Sequence, residues 1–275
     1  MTPLFDFAAA AHAQERARRL AGDRFLFAAG LDGLADRLSA VTRRFARGLW
    51  IGDQLPDAIR PFATHWSLGA FDAMERLQAP GEHDLAVSLY SLQALNDLPG
   101  ALAQIRQALK PDGLFLGALL GGGTLKELRD AFAHGESLTR GGASPRVSPF
   151  ADVRELGALL SRAGLALPVA DVERLTVRYG DFFALARDLR AHGFTNILAQ
   201  RSRKTLRRDT LAAMLVQYRA AHGVDGRLAA TFETVFLTGW SPHASQQQPL
   251  RPGSAKTRMA DALDTKEISA GEKPG

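Results

Sequence analysis

The sequence contains no cysteine in its 275 residues. This absence excludes disulfides, thiolate metal ligands and cysteine nucleophiles, and it is compatible with a reducing compartment. No run of about 18 apolar residues is present, so we predict no membrane-spanning helix. His192 and His243 have no partner at metal-ligand spacing, and we therefore predict no metal site.

The acidic residues of the N-terminal region help to decide whether it is a transit peptide. This region is amphipathic and carries arginines, as a mitochondrial transit peptide does, but it also contains Asp6, Glu15 and Asp23. Transit peptides are poor in acids. We therefore expect a mature cytoplasmic start that leads directly into structure.

The composition is that of a globular protein, with 46% hydrophobic and 23% charged residues. The net charge is +5 and the pI is about 9.9. Most basic residues alternate with acids along predicted helices, which favours a solvated basic surface. The dense cluster RSRKTLRR at residues 201–208 lacks the aromatics that stack on bases, so nucleic acid is the less favoured partner. Docking of a protein or a nucleic acid at this cluster remains the alternative.

Two apolar runs indicate a buried parallel sheet. Residues 84–89 and 114–120 read as strands, and between them residues 98–109 place leucine and isoleucine on one helical face. A strand, a helix and a strand in this order predict a right-handed parallel crossover. The near-continuous hydrophobicity of both strands predicts a sheet that is covered on both faces.

The remaining pattern places helices before and after this unit. Thr124 is predicted to cap a helix over residues 125–133, with Glu127 completing a capping box. A weak helix is predicted at residues 57–62. The other expected elements are helices at 4–22, 24–38, 153–163, 181–191 and 208–221, and strands at 45–53, 65–69, 173–179 and 230–240. The predicted organisation is an N-terminal helical segment (1–44), a main domain (45–248) and a disordered tail (249–275).

Several motifs resemble a known family. DLAVSL at residues 84–89, NDLP at 96–99 and LKPDGLFL at 109–116 resemble the fourth and fifth strands of class I S-adenosylmethionine-dependent methyltransferases of the type 11-like group. Four further motifs resemble one branch, the bacterial homologues of the mitochondrial complex I assembly arginine hydroxylase. These motifs are GGGTLKELR (121–129), GGASPRVSPF (141–150), TN (195–196) and TGWSPH (238–243). The branch is related to the malonyl-carrier-protein methyltransferase of biotin synthesis.

The resemblance implies a cytoplasmic bacterial protein with an α/β, Rossmann-like methyltransferase fold, a mostly parallel sheet and N-terminal helices. The family's first strand ends in an acid and a turn of the form D-x-G-x-G-x-G, which holds S-adenosylmethionine. Here the matching residues are WIGDQLP at 50–56, with one glycine. Only about thirty residues separate Gly52 from Asp84, too few for two βα units. We therefore expect a shortened cofactor-binding half, with Asp72 the nearest candidate for the ribose-binding acid.

Two functional hypotheses follow from the resemblance. In the first, the chain is an S-adenosylmethionine-dependent enzyme that modifies a protein substrate, an arginine in a respiratory complex. The cofactor would then contact Gly52, Asp53, Ser88 and Leu89. The predicted substrate-side residues are Tyr90, Gln93, Asn96, Asp97, Gly122, Thr124, Arg129 and Trp240. In the second, the chain is a non-catalytic assembly or scaffold protein, a pseudoenzyme that has lost the cofactor and keeps its docking surface.

Overall fold

The computed structural model describes residues 3–20, 22–247 and 264–265. The chain divides into two units, residues 1–242 and 243–275. The first unit contains the secondary structure. Its helices are α1 (Phe7–Arg19), α2 (Phe25–Ser39), α3 (Leu98–Ala108), α4 (Lys126–Arg140), α5 (Val153–Arg162), α6 (Phe182–Ala191) and α7 (Arg208–His222). Its strands are β1 (Phe45–Ile51), β2 (Ala63–Phe71), β3 (Leu77–Gln78), β4 (His83–Leu89), β5 (Leu109–Leu120), β6 (Ala166–Tyr179), β7 (Gly223–Val224) and β8 (Arg227–Trp240).

In the second unit the described residues 243–247 form a turn, in which Nδ1 of His243 lies 2.7 Å from Oγ of Ser245. The disordered tail predicted from residue 249 lies outside the described residues except for positions 264 and 265. The predicted domain limits at residues 44 and 248 stay a prediction. No helix in the described ranges combines the length and the apolar character that a membrane crossing requires.

The strands form one sheet in the order β3-β2-β1-β4-β5-β8-β6, with β7 beside β8. The central strands β2, β1, β4 and β5 are parallel, whereas β8 is antiparallel to both of its main neighbours. From β1 the chain first forms β2 on one side of β1, and later returns to form β4 on the other side of β1. This reversal creates a topological switch point between β1 and β4, where open α/β sheets usually bind ligands. The fold-class prediction, a mostly parallel Rossmann-like sheet, is confirmed.

Helices cover both faces of the sheet, as the apolar runs predict. In β5, Leu114, Leu116, Ala118 and Leu120 belong to the cluster that contains residues of α2, α4, α6 and α7. Phe115 and Leu119 point to the opposite cluster, which contains residues of α3 and α5. Each fully buried side chain of this size contributes about 1.5–3 kcal/mol to folding. The parallel pairing of β4 with β5, with α3 between them in the chain, confirms that the predicted crossover is parallel.

Two local predictions are wrong. The helix predicted at residues 57–62 is reduced to a single 3₁₀ turn at Arg60–Phe62. Thr124 does not cap α4, because its Oγ donates to the carbonyl of Glu233 and accepts from the N–H of Glu233, both at 3.1 Å. The carboxylate of Glu127 accepts from Oγ of Thr231 at 2.5 Å instead of closing a capping box.

The shortened half is visible between β1 and β4. Residues 52–82 are all described and contain no α-helix. Ile51 lies level with Gly69, and Phe45 lies level with Ala63, so the connection must return along about six residues of strand. That distance is about 20 Å, whereas the eleven residues 52–62 would reach only about 16 Å as a helix. The connection therefore contains no α-helix and consists of bends, a turn and the 3₁₀ turn at Arg60–Phe62, in keeping with the short interval in the sequence.

Helix α2 packs unusually close to the sheet at two glycines. A Cβ on Gly30 would lie 2.6 Å from Cδ1 of Leu89, and one on Gly33 would lie 2.4 Å from Cζ of Phe236. Glycine inside a helix costs about 1 kcal/mol relative to alanine, so its presence here needs a compensating contact. The close approach to β4 and β8 supplies that contact.

We predict that Gly33→Ala lowers the free energy of unfolding. Forcing a methyl group against the buried ring of Phe236 costs about 1–3 kcal/mol, more than the gain in helix propensity. A loss of 1 kcal/mol corresponds to about 2–4 °C in the melting temperature of a protein of this size. Thermal unfolding followed by circular dichroism measures the effect.

The matched control is Gly157→Ala in α5, where the new Cβ would lie at an ordinary 3.6 Å from Cβ of Ala170. This variant should be at least as stable as the wild type, because only the propensity gain remains. A Gly33→Ala protein that melts at or above the wild-type temperature would contradict the close packing of α2.

Candidate functional site

The four predicted cofactor-contact residues lie at the carboxyl ends of β1 and β4. Gly52 continues the strand pairing, since its N–H donates to the carbonyl of Gly69 at 2.9 Å. A Cβ on Gly52 would lie only 2.7 Å from Nε1 of Trp50, so the glycine accommodates an indole of its own strand. Ser88 is completely buried, and its Oγ has no hydrogen-bond partner among the described residues. Leu89 packs below Gly30.

Asp53 is engaged by the N-terminal helix. Its carboxylate forms an ion pair with the guanidinium of Arg18 in α1, and the hydrogen bond that Arg18 donates to Asp53 raises the pKa of Arg18. Both side chains are more than half exposed, so the pair contributes little to stability. It nevertheless places α1 beside the switch point.

Asp72, the nearest candidate for a ribose-binding acid, is committed to a turn. Its Oδ1 accepts the N–H groups of Met74 and Arg76 at 2.8 and 3.0 Å, and its Oδ2 accepts from Nε2 of Gln78 at 3.0 Å. The hydrogen bond from the N–H of Arg76 is the main reason why the pKa of Asp72 is lowered. The carboxylate already has three internal donors.

These residues do not fit S-adenosylmethionine in the way the family turn implies. No α-helix follows β1, so there is no helix N-terminus to receive the methionine carboxylate. The indole of Trp50 lies against Gly52, and Asp53 and Asp72 are engaged within the chain. These partners would have to separate to admit a cofactor, and the free-energy cost of that separation would oppose cofactor binding.

The carboxyl end of the sheet instead opens a cavity beside β4 and β5. Its volume is about 240 Å³, near the low end for ligand sites. Three predicted substrate-side residues, Tyr90, Gln93 and Thr124, line it. The other lining residues come mainly from α1, α4, α6 and two loops, and they are Phe5, Ala10, Gln14, Ala94, Leu120, Leu125, Leu128, Phe132, Arg146, Val147, Ser148, Phe150, Phe182, Ala186, Leu189, Arg190, Gly193, Phe194, Thr195, Asn196, Ile197 and Phe232.

Tyr90 sits at the back of this cavity in a strained position. Its φ is +51°, in the left-handed region that side-chain-bearing residues rarely adopt. Its hydroxyl lies 2.8 Å from Oγ1 of Thr234 and 3.3 Å from the carbonyl of Leu26 in α2. Burial raises the pKa of Tyr90. The residue therefore joins the end of β4 to α2 and β8.

Asn96 and Asp97 hold the N-terminal segment and α3 and do not line the cavity. Asn96 uses its side-chain amide to pair with both backbone groups of Phe5, at 2.8 and 3.3 Å. The N–H groups of Asn96 and Asp97 both donate to the carboxylate of Glu75 at 2.7 Å. Asp97 also accepts the N–H of Gly100 at 2.8 Å and so caps α3. Asn96 is therefore linked to the cavity through Phe5, which lies in the cavity wall.

The glycine loop that contains Gly122 binds a carboxylate of the chain itself. The N–H of Gly123 donates to Oε1 of Glu233 at 3.2 Å, and the N–H of Gly121 donates to the carbonyl of Glu233 at 2.8 Å. A Cβ on Gly121 would lie 2.5 Å from the Glu233 carboxylate. Arg174 pairs with the same carboxylate at 2.8 Å. The glycines thus wrap an internal acid and fix the start of α4.

Arg129 and Trp240 lie at different places in the fold. The guanidinium of Arg129 donates to the carbonyls of Thr124 and Ser148 at 3.3 Å, which ties the glycine loop to the 144–150 loop behind the cavity. Trp240 pairs with Leu114 in the first half of β5, whereas the cavity lies at Leu120. Six residues of strand, about 20 Å, separate these levels. The structure therefore does not bring Trp240 together with the other substrate-side residues.

Sequence reasoning missed the cationic residues of the cavity, Arg146 and Arg190. The signal for Arg146 was present in the GGASPRVSPF motif, but nothing in the sequence distinguished Arg190 from the other arginines of α6. Arg146 donates from Nε and Nη2 to Glu136, at 2.9 and 2.6 Å, and Glu136 is fully buried. Burial opposes ionisation of Glu136, but the combined hydrogen bonds from Ser144 and Arg146 outweigh it and lower its pKa.

The basic cluster at residues 201–208 is partly neutralised inside the chain. Arg201 and Arg203 pair with Asp6 at 2.9 and 3.4 Å, and Arg207 pairs with Asp209 at 2.5 Å. The N–H of Ala9 and the guanidinium of Arg201 lower the pKa of Asp6. Part of this cluster therefore anchors the residues before α1.

Across the described ranges, no three His, Asp or Glu side chains converge as a metal-binding group.

His192 lies in an aromatic cluster beside the cavity. Its ring is fully buried and stacks near Phe27 and Phe194, with centroids 5.8 and 5.7 Å away. Nε2 accepts the N–H of Leu26 at 3.3 Å, and Nδ1 lies 2.8 Å from the carbonyl of Asp188. These contacts satisfy a neutral ring with its proton on Nδ1. Burial lowers the pKa of His192, and no contacting carboxylate reverses the shift.

We predict that acid destabilises the protein through this residue. The unfolded state takes up the proton below about pH 6.5, whereas the folded state resists it. Stability is therefore complete above that pH and falls as the pH drops towards the lowered folded-state value, by up to about 1.4 kcal/mol per pH unit. Urea unfolding at pH 7.5, 6.5 and 5.5 measures this slope. His192→Asn should be less stable at pH 7.5 and have a shallower slope.

The matched control is His134→Asn, at an exposed position of α4, which should keep the wild-type slope. A residual slope is expected in His192→Asn because buried His83 also has a lowered pKa. If His192→Asn keeps the wild-type dependence of stability on pH, the prediction is contradicted, because His192 then does not cause the loss of stability in acid.

The strand order and the switch point define the chain as a Rossmann-like α/β protein. No protein-family model matches it. It is 42% identical over 179 residues to "Arginine-hydroxylase NDUFAF5, mitochondrial" of Danio rerio. The aligned region covers 65% of this chain and 56% of the relative. It is 38% identical over 194 residues to "Malonyl-[acyl-carrier protein] O-methyltransferase" of Laribacter hongkongensis, which covers 70% of this chain and 63% of the relative. The family resemblance predicted from the motifs is confirmed.

The chain spans between 42% and 63% of the length of the curated relatives it matches, including 52% of the human arginine-hydroxylase NDUFAF5 at 43% identity. Among solved structures, the YcgJ protein of Bacillus subtilis aligns over 77% of this chain and 99% of its own, with a TM-score of 0.48 and 14% identity. The fold assignment rests on the strand order rather than on this overlap. The named relatives are enzymes, a hydroxylase and a methyltransferase.

Proposed function

We propose that this chain is a non-catalytic methyltransferase-fold protein that binds a protein partner in respiratory-complex assembly, without S-adenosylmethionine. One observation carries the proposal: the chain's own N-terminal helices cover the switch point between β1 and β4. Arg18 of α1 pairs with Asp53, and the carbonyl of Leu26 in α2 accepts from Tyr90. The assembly role comes from the family resemblance and is carried over as part of the proposal.

The second candidate is an enzyme that uses S-adenosylmethionine. It is favoured by the names of the relatives and by the cavity, which keeps polar groups from Tyr90, Gln93 and Thr124 at the carboxyl ends of β4 and β5. Against it stand the missing helix after β1 and the engaged carboxylates of Asp53 and Asp72. Cofactor binding separates the two candidates.

We expect no heat of binding in calorimetric titration with S-adenosylmethionine or S-adenosylhomocysteine at up to millimolar ligand. The melting temperature should also be unchanged. A ligand present at one hundred times its Kd would stabilise the protein by about 2.7 kcal/mol, which is a shift of about 5–10 °C at this size. The Laribacter hongkongensis relative, titrated in parallel, serves as the positive control.

Arg18→Ala separates a closed site from a missing one. It removes the ion pair to Asp53 but cannot create the absent helix, so this variant should also fail to bind the cofactor. Micromolar binding by the wild type would overturn the proposal. Binding only by Arg18→Ala would overturn the view that the site has been lost and would indicate a latch over an intact one.

The assembly role has its own test. Deleting the gene in its native host should reduce assembled respiratory complex I, measured by native electrophoresis and by NADH oxidation in isolated membranes. Re-expression of the wild type should restore both. Normal levels of the complex after deletion would remove the assembly role.

A further inference from the structure

The cavity beside β4 and β5 has a charge pattern that no function stated so far uses. Among the described residues that line it there are two arginines and no aspartate or glutamate. The remaining walls are mainly aromatic and aliphatic, with Phe132, Phe182 and Phe194 among them. An apolar cavity with guanidinium groups and no carboxylate favours a ligand that combines an apolar body with a negative charge.

The two arginines differ in their internal partners. Arg146 shares its charge with the fully buried Glu136 through Nε and Nη2, and among the described residues its Nη1 has no hydrogen-bond partner. Arg190 is the exposed member of the lining, and it forms no ion pair within the described ranges. Arg190 therefore supplies the uncompensated positive charge, and Arg146 offers a donor that is already fixed in place.

The small volume limits what can enter. About 240 Å³ is below the common range of about 300–1,000 Å³ for small-molecule sites. Tyr90 and Phe5 are buried and held by hydrogen bonds, so the back wall cannot easily retreat. The volume suits a single short chain or one apolar side chain.

The geometry points to a binding site for a short apolar carboxylate, with the carboxylate at Arg190 and Arg146 and the apolar chain between α4 and α6. Two sources offer this chemistry, a free medium-chain aliphatic acid and the C-terminal carboxylate of an apolar peptide. The inference concerns a cavity that the proposed function does not use. Its failure is distinguishable from a failure of that proposal, because the cofactor titration does not involve this cavity.

The test compares three probes of equal chain length: octanoate, 1-octanol and octylammonium. Calorimetric titration of the full chain should give the tightest binding for octanoate. An N-acetylated tripeptide ending in Leu-Phe with a free carboxylate, and the same peptide amidated, form the second arm. Whichever carboxylate binds more tightly identifies the source, and both results support the site.

Two variants and one control locate the binding. Arg190→Gln should weaken octanoate about three- to tenfold, as expected for a partly exposed charge pair, and should leave 1-octanol unchanged. Arg187→Gln, on the same helix but outside the lining, should match the wild type. Ala186→Trp places an indole in the cavity and should abolish binding of every probe while the protein stays folded by circular dichroism.

Several results would overturn the inference. Equal affinity for octanoate and 1-octanol would remove the anion site. Preference for octylammonium would reverse the assigned charge. Absence of binding by all probes at millimolar concentration, or octanoate binding that survives Ala186→Trp, would remove the cavity as the site.

Discussion

The short connection between β1 and β2 is the constraint on which the rest of the structure depends. The eleven residues 52–62 return about 20 Å along the sheet through bends, a turn and one 3₁₀ turn, whereas an α-helix of the same length would reach only about 16 Å. The helix that would follow β1 in the family therefore has no room. Its absence removes both the anion-binding helix N-terminus and the helical cover of the sheet at this edge. The short connection thus accounts for the missing helix and for the need of a different cover at this part of the sheet.

The N-terminal helices pack beside this edge, at the carboxyl end of β4 and on β8. Gly30 and Gly33 bring α2 into direct contact with Leu89 and Phe236, and the carbonyl of Leu26 takes the hydroxyl of Tyr90. Phe5 is held by Asn96 ahead of α1. Residues that would face ligands in an open switch point instead become partners for these helices. The effect is to displace the accessible volume from the β1–β4 junction to the ends of β4 and β5, where the cavity is found.

Features that depend on a local sequence pattern can be predicted from the sequence. Predictions fail where the partner of a residue is a side chain or backbone group far away in the sequence. The apolar runs at 84–89 and 114–120 predict buried parallel strands because hydrophobic burial on both faces leaves a continuous signature. The shortened half follows from counting residues. Thr124, by contrast, has every local feature of a cap but bonds Glu233, 109 positions away. The glycine loop likewise reads as a ligand loop, although its ligand is an internal carboxylate that no local pattern reveals.

The charge of the cavity also limits how far the names of the relatives extend to this chain. A substrate arginine entering the cavity would meet the uncompensated guanidinium of Arg190, and no carboxylate among the described lining residues would offset that charge. At about 4 Å, two like charges repel by about 4 kcal/mol at the effective dielectric of a protein surface. Aromatic walls can attract a cation by about 0.5–2 kcal/mol, which is less than that repulsion. A partner arginine would therefore have to act outside this cavity, whereas an apolar acidic group is compatible with the same walls and charges.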